Sequence, residues 1–354
     1  MKINFLIISL LLLSVFAKAT VWTVDNNINS LAQFTTIQEA IGAASNGDTI
    51  MVAGSNTNYA SIIINKKLTL IGPGYNPKIG YPASISNIGL DTIPNFSGAS
   101  GTRIIGFKFG YIGVVGGNDV IKNVTIERNK ISSANFGSYW VVKNNIIIEC
   151  NVAVNTQCII SNNIFINISA SNSLTFLARS GALVLFSNNV VITNGGCFSN
   201  NASNITSSYY IDNCIVTNNI FYGSSPNNPY DVNCTWNNNI SYSTINDNFN
   251  LSGSNSGTGN IVGADPMFTS VSSTTFDYSY DFHLQAGSPG KNAGTDGTDI
   301  GIYGGMYPFP SGGDVPYQTS PVPNVPQILE MNVINQVLNI DGTLQIQIHA
   351  KSNN

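Results

Sequence analysis

One six-residue phrase recurs along the chain and limits the fold more than any other feature. It reads Val141-Val142-Lys143-Asn144-Asn145-Ile146, then Ile159-Ile160-Ser161-Asn162-Asn163-Ile164, Leu185-Phe186-Ser187-Asn188-Asn189-Val190 and Ile215-Val216-Thr217-Asn218-Asn219-Ile220. A weaker copy precedes these at Ile126-Glu127-Arg128-Asn129-Lys130-Ile131, and another follows at Thr235-Trp236-Asn237-Asn238-Asn239-Ile240. Aligned on the first Asn of each copy, positions 129, 144, 162, 188, 218 and 238 are separated by 15, 18, 26, 30 and 20 residues. Short apolar runs at such a period, with insertions of variable length, indicate stacked β coils and not helical hairpins.

The phase within the phrase adds a bend. The apolar residues three before and two after the Asn are five apart, and period-two alternation cannot bury both from one straight strand. The chain must turn between them, and Asn is the non-glycine residue that best accepts the left-handed backbone of such a turn. If every coil turns at the same place, Asn144, Asn162, Asn188 and Asn218 stack, and their amides can bond from coil to coil as a ladder. Cys158, Cys214 and Cys234 share the slot four before the Asn with Trp140 and Val184, which reads as an apolar column. The slots two and three before the Asn are also mostly apolar, so the inward-facing column stays open at this level.

Composition narrows the functional classes. The chain of 354 residues has 50 asparagines and only 9% charged residues, against a usual figure of about 25%. With 43% hydrophobic residues and a net charge of -4 it is not a disordered chain. Its 14 Lys and Arg, of which only Arg103, Arg128 and Arg179 are arginine, form no footprint for a nucleic-acid backbone. Five cysteines (Cys150, Cys158, Cys197, Cys214, Cys234) leave at least one unpaired, a poor disulfide framework. Without a CxxC spacing, and with His283 and His349 far away, zinc is not expected, and the cysteines read as small buried apolar residues. No other metal site and no cofactor is expected.

Met1-Lys2, an apolar run from Phe5 to Ala17 and Ala17-Lys18-Ala19 before Thr20 read as a secretory signal peptide over residues 1–19. Its apolar run falls short of the roughly 20 residues needed to span a bilayer, and no membrane span is expected. The expected location is therefore extracellular or the cell surface.

Thr36-Ile37-Gln38-Glu39 has capping-box spacing, and Ile37, Ala40, Ile41 and Ala44 form one helical face, predicting a short helix that covers the open first coil. Residues 48–52, 62–64 and 67–72 read as strands. Pro308, Pro310, Pro316, Pro321, Pro323 and Pro326 mark a stiff linker over 308–326. In the tail, 327–354, Leu344, Ile346, Ile348 and Ala350 alternate with polar residues, a strand entered from Val337-Leu338 through Asp341-Gly342 and expected to return and cover an edge of the stack. The repeat domain occupies 20–307.

The opening Thr36-Ile37-Gln38-Glu39-Ala40-Ile41 through Gly47-Asp48-Thr49-Ile50 to Leu68-Thr69-Leu70-Ile71-Gly72 resembles the first-coil signature of the pectin-lyase-like superfamily. Ala264-Asp265-Pro266-Met267-Phe268, Asp281-Phe282-His283-Leu284 with Gln285-Ala286-Gly287-Ser288-Pro289, and Asp299-Ile300-Gly301-Ile302-Tyr303-Gly304-Gly305 resemble the close of its secreted bacterial members. The resemblance implies an all-β, right-handed parallel β-helix. It also implies that a lyase would hold calcium with carboxylates recurring in one column and use Arg or Lys as base. No such column exists: Glu127 and Glu149 occupy different slots of single copies. A hydrolase needs paired carboxylates, and the coils carry no repeated acidic pair.

Asp277, Asp281, Asp296 and Asp299 cluster in the terminal motif, where turns and closure of the last coil account for them, with a calcium clip as the alternative. No catalytic residue is assigned, and His283 reads as part of a structural closing segment. Arg128 and Lys143 share the slot before the Asn and are the candidate ligand-binding residues, a small basic stripe for an acidic saccharide. Trp236, Tyr242 and Tyr222 are further candidates to stack on sugar rings. The expected function is a monomeric, non-catalytic surface or carbohydrate-binding β-helix with an extracellular polysaccharide as its partner; the alternative is a polysaccharide lyase or glycoside hydrolase.

Overall fold

The computed structural model describes residues 19–310, except 78–79, 93–97, 118–119, 149–151, 155–156, 169–173, 177–182, 194–210, 224–225, 227 and 245, together with 327–334 and 345–351. Residues 1–18 of the predicted signal peptide and 311–326 of the proline-rich linker lie outside the described residues.

Each repeat phrase forms two short strands that meet at the Asn-Asn pair. The strands before the pair, among them Val141–Lys143, Cys158–Ser161, Val184–Ser187 and Cys214–Thr217, join an 11-stranded parallel sheet. Those after it, among them Ile146–Ile148, Ile164–Ile168, Val190–Thr193 and Ile220–Tyr222, join a 12-stranded parallel sheet. Successive strands of a sheet are neighbours one coil apart, in register: Val142 pairs with Ile126 and Ile160, and Ile147 with Ile131 and Phe165. Parallel neighbours joined by crossover connections of one hand make a solenoid, so the chain is a right-handed parallel β-helix, as expected.

The register settles which columns face inward. Ile104, Ile126, Val142, Ile160, Phe186, Val216 and Trp236 stand two before the bend and are fully buried on one side of the interior. Ile131, Ile147, Phe165, Val191 and Phe221, three after it, close the other side. These positions are again five apart, so the bend is required, although the pair differs by one residue at each end from the pair read off the sequence. The cysteine column lies inward as well, with Cys158, Cys214 and Cys234 buried and unlinked.

The interior needs closing at both ends. Helix Ile37–Ala43 seals the first coil with Ile37, Ala40 and Ile41, and Thr36 Oγ1 accepts from Glu39 N at 3.3 Å while donating to Glu39 Oε2 at 2.8 Å. At the other end the inward column reaches Gly257, and Phe249 packs on Trp236 with ring centroids 5.6 Å apart.

A second core lies outside the solenoid. Ile146, Ile164, Val190, Ile220 and Ile240, two after the bend, face away from the interior, yet they are buried with Phe282, Leu284, Ile300 and Ile302. The terminal motif, read from sequence as closure of the last coil, instead runs back as a strap over the outer face of the second sheet. The reason is the apolarity of that face, which one solvated side of a sheet would not tolerate. In the tail, Gln327–Val333 pairs antiparallel with Ile346–Lys351. Met331, Ile346 and Ile348 of this hairpin are exposed, so its described side chains do not cover the stack.

Candidate functional site

The site is assembled by the Asn-Asn pairs, whose two members do different work. The first holds the turn: Asn144, Asn162, Asn188, Asn218 and Asn238 have φ of 55, 56, 54, 58 and 51°. The ladder expected from this column is formed instead by the second Asn. Asn145 N and Nδ2 both donate to Asn163 Oδ1 at 3.0 Å, and its Nδ2 donates on to Ile126 O at 2.9 Å. Asn129, Asn163, Asn189, Asn219 and Asn239 repeat the pattern, the last donating to Asn260. Side chains of this column point into the stack, within reach of the next coil about 4.7–4.9 Å away.

The first column points outward and grips the strap. Asn238 Nδ2 donates to Ala293 O at 2.8 Å, Asn218 Nδ2 to Thr295 Oγ1 at 3.0 Å and Asn188 Nδ2 to Gly301 O at 3.3 Å. Asn162 Nδ2 donates to Ile302 O and Gly304 O at 2.8 and 2.7 Å, and Asn144 Nδ2 to Tyr307 O at 2.8 Å. Residues 293–307 thus cross five successive coils in reverse order. Gly305 is needed for this approach: its φ is 73°, and a Cβ there would stand 2.6 Å from Asn188 Oδ1.

Between the strap and the second sheet opens a cleft of about 230 Å³. Tyr75, Phe276, Tyr280, Tyr303 and Phe309 supply aromatic walls, and Asp277, Asp281 and His283 supply polar groups. The His283 ring stacks on Tyr303 with centroids 3.7 Å apart and an interplanar angle of 7°, and its Nδ1 lies 2.5 Å from Asp281 Oδ1. Opposite, Lys130 Nζ donates to Tyr278 Oη at 3.0 Å and lies 4.6 Å from that ring's centroid, and Tyr278 Oη donates to Tyr75 O at 3.2 Å. Burial, and next the neighbouring charge of Lys108, lowers the Lys130 pKa, and burial raises those of Tyr75 and Tyr278. A larger cavity of about 450 Å³ beside Leu31, Met51 and Ile71 is lined mainly by apolar groups and backbone, with Asp25 as its only charged side chain.

Asp277 and Asp296 serve turns, as expected, whereas Asp281 opens the strand Asp281–Leu284 beside His283 and Asp299 makes an ion pair. Asp277 Oδ1 accepts from Ser279 N, Asp281 Oδ1 from His283 N and Asp296 Oδ1 from Thr298 N, while Asp299 Oδ2 meets Lys291 Nζ at 2.7 Å. Among the described residues no group of three or more His, Cys, Asp or Glu is placed to hold a metal ion.

Arg128 and Lys143 do not share a slot. Lys143 pairs in register with Glu127, and Arg128 stands at the bend with φ of 57°, where later copies have Asn. The first copy carries a single Asn, Asn129, which belongs to the ladder column, so aligning it as a first Asn shifted that copy by one. Lys143 Nζ lies 3.2 Å from Glu127 Oε2 and 4.3 Å from the Tyr307 centroid, and Arg103 Nη2 holds Glu127 Oε1 at 2.8 Å. Arg128 is 8% exposed, and burial lowers its pKa against the opposing pull of Glu127.

Of the aromatic candidates, Trp236 is fully buried in the interior, and Tyr222 packs against Tyr242 and Phe268 with centroids 5.5 and 6.1 Å away. The cleft aromatics were missed because their chain neighbours read as closing turns. The alternation of Phe276, Tyr278, Tyr280 and Phe282 was the available signal.

Fold and site together define a right-handed parallel β-helix whose C-terminal strap shapes an aromatic cleft. No family model and no curated protein matches the chain. Among solved structures it is similar to a crystal structure of pectate lyase Pel9A, at 16% identity and a TM-score of 0.34, over 80% of this chain and 96% of that one. A likeness at that level does not bear on activity.

Proposed function

We propose that the protein is a secreted, non-catalytic, monomeric β-helix that binds an extracellular polysaccharide at the cleft beneath its strap. The observation that carries this reading is the aromatic-walled cleft, with Tyr303, Tyr280 and Phe309 beside the acceptor oxygens of Asp277 and Asp281. Sugar rings present apolar C–H faces and equatorial hydroxyls, and such a mixture of aromatic planes and carboxylates matches both. At about 230 Å³ the cleft is too small to engulf a polymer, so a glycan would insert a chain end or lie across the mouth.

Of the candidates from sequence, Lys143 pairs with Glu127 of the preceding coil and would add a charge for an acidic saccharide, whereas Arg128 is buried and would add none. The paired Asp281 and His283 favour the second reading, a lyase or glycoside hydrolase acting at this same cleft. The test is incubation of purified protein with polygalacturonate, alginate and xylan, following retention and sugar release together. Retention without release is the expected result. Unsaturated or reducing ends appearing at an ordinary enzymatic rate would establish the second reading in its place.

A further inference from the structure

The interior holds a pair of thiols with no part in the cleft. Cys214 and Cys234 occupy the same inward column on consecutive coils, one residue before the register partners Ile215 and Thr235. Parallel neighbours stand about 4.7–4.9 Å apart, inside the range of roughly 4.4–6.8 Å between Cα atoms that a disulfide spans. Both side chains are 1% exposed, and their thiols donate to backbone carbonyls, Cys214 Sγ to Asp212 O at 3.4 Å and Cys234 Sγ to Val232 O at 3.1 Å. Cys158 is in the column too, but Val184 stands between it and Cys214, and its Sγ donates to Gly137 O at 2.9 Å. Geometry therefore selects one pair among the three described cysteines.

We propose that Cys214 and Cys234 are a modification site, a disulfide that staples two adjacent coils when the chain folds in an oxidising compartment. The reaction is exchange with a low-molecular-weight disulfide: the two protein thiols become one S–S bond, and the small disulfide leaves as two thiols carrying the two protons and two electrons. Attack needs a thiolate. In the folded chain the contact with Cys234, and then burial, push the Cys214 thiol up. The bond therefore forms while the coils are still closing, and the folded, reduced protein resists oxidation.

The experiment refolds the full chain in a buffer of reduced and oxidised glutathione, blocks remaining thiols under denaturing conditions and maps the peptides. A peptide joining Cys214 to Cys234, absent after reduction, is expected. The folded, reduced protein given the same buffer should acquire it more slowly. The oxidised form should melt higher than the reduced form, and Cys214→Ala should abolish that difference. If Cys214→Ala does not fold, Cys234→Ser takes its place, and the peptide map of the unmodified chain decides in any case. Blocked thiols at both positions after oxidative refolding, or a link from either to another cysteine, would overturn the proposal.

Discussion

The ladder column, as distinct from the bend column, should carry the stability of the stack, and Asn189 separates the two. Its Oδ1 accepts from Asn163 N at 2.9 Å and from Asn163 Nδ2 at 3.1 Å, and its Nδ2 donates to Ile160 O at 2.9 Å and Asn219 Oδ1 at 3.1 Å. Asn163 Nδ2 keeps Val142 O and Ser161 O, and Asn219 Oδ1 keeps the Asn189 backbone N–H. Ile160 O keeps the strand ladder, in which Ser161 pairs with Ser187, so Asn189→Ala leaves one group, Asn163 N, without its partner. At about 1–3 kcal/mol for an unsatisfied buried group, the loss is about 1–3 kcal/mol.

Asn188→Gly is the contrast. It removes one long bond to Gly301 O, and glycine accepts the left-handed backbone, so the loss should be about 1 kcal/mol or less. Guanidinium unfolding followed by circular dichroism reads both, and the slopes must agree between variants, because repeat arrays can lose two-state behaviour. Equal losses for the two variants, or a loss below about 1 kcal/mol for Asn189→Ala, would refute the division of labour.

Two further perturbations test buried packing, the second of them at the strap. Asp231 is 3% exposed, its Oδ2 has no hydrogen-bond partner among the described residues, and burial pushes its pKa up to about 8, against backbone hydrogen bonds from Ile211 and Asn228. A carboxyl whose pKa is raised in the folded state destabilises as it ionises, so stability from this group falls as pH rises from about 4 toward 8, by on the order of 5 kcal/mol at most. Asp231→Asn should raise the melting temperature at pH 8 and change it little at pH 4; the same shift at both would count against the burial argument. Phe282, 4% exposed and edge-on to Phe268 with centroids 5.6 Å apart, anchors the strap. Phe282→Ala should cost about 3–5 kcal/mol and open residues 265–310 to protease while amides of the inner columns stay protected.

Much of the solenoid was legible because stacking repeats the same physical problem in every coil. The recurring Asn, the apolar residues around it and the capping box at Thr36 pointed to coils, bends and a covered end. What failed to show was which Asn did which task, since neighbouring Asn residues are chemically identical and differ only in φ. The strap was hidden for a related reason. The outward Ile column reads in sequence like any core column, and only its contact with Phe282, Leu284, Ile300 and Ile302 reveals a second core. The cleft depends on Tyr75 meeting Tyr278 across 203 residues, a juxtaposition that no local pattern encodes. The basic stripe failed through a shift of one residue, which in a strand moves a side chain to the opposite face.

The most direct test of the functional reading is affinity electrophoresis of the full chain through gels containing polygalacturonate, alginate or xylan, run beside Tyr303→Ala and Tyr139→Ala. Tyr303 lines the cleft, whereas Tyr139 is exposed at 49% and is not among the lining residues. Retardation by at least one glycan, lost in Tyr303→Ala and kept in Tyr139→Ala, is the predicted result. Mobility unchanged by every glycan, or retardation that survives Tyr303→Ala, would contradict a glycan site beneath the strap.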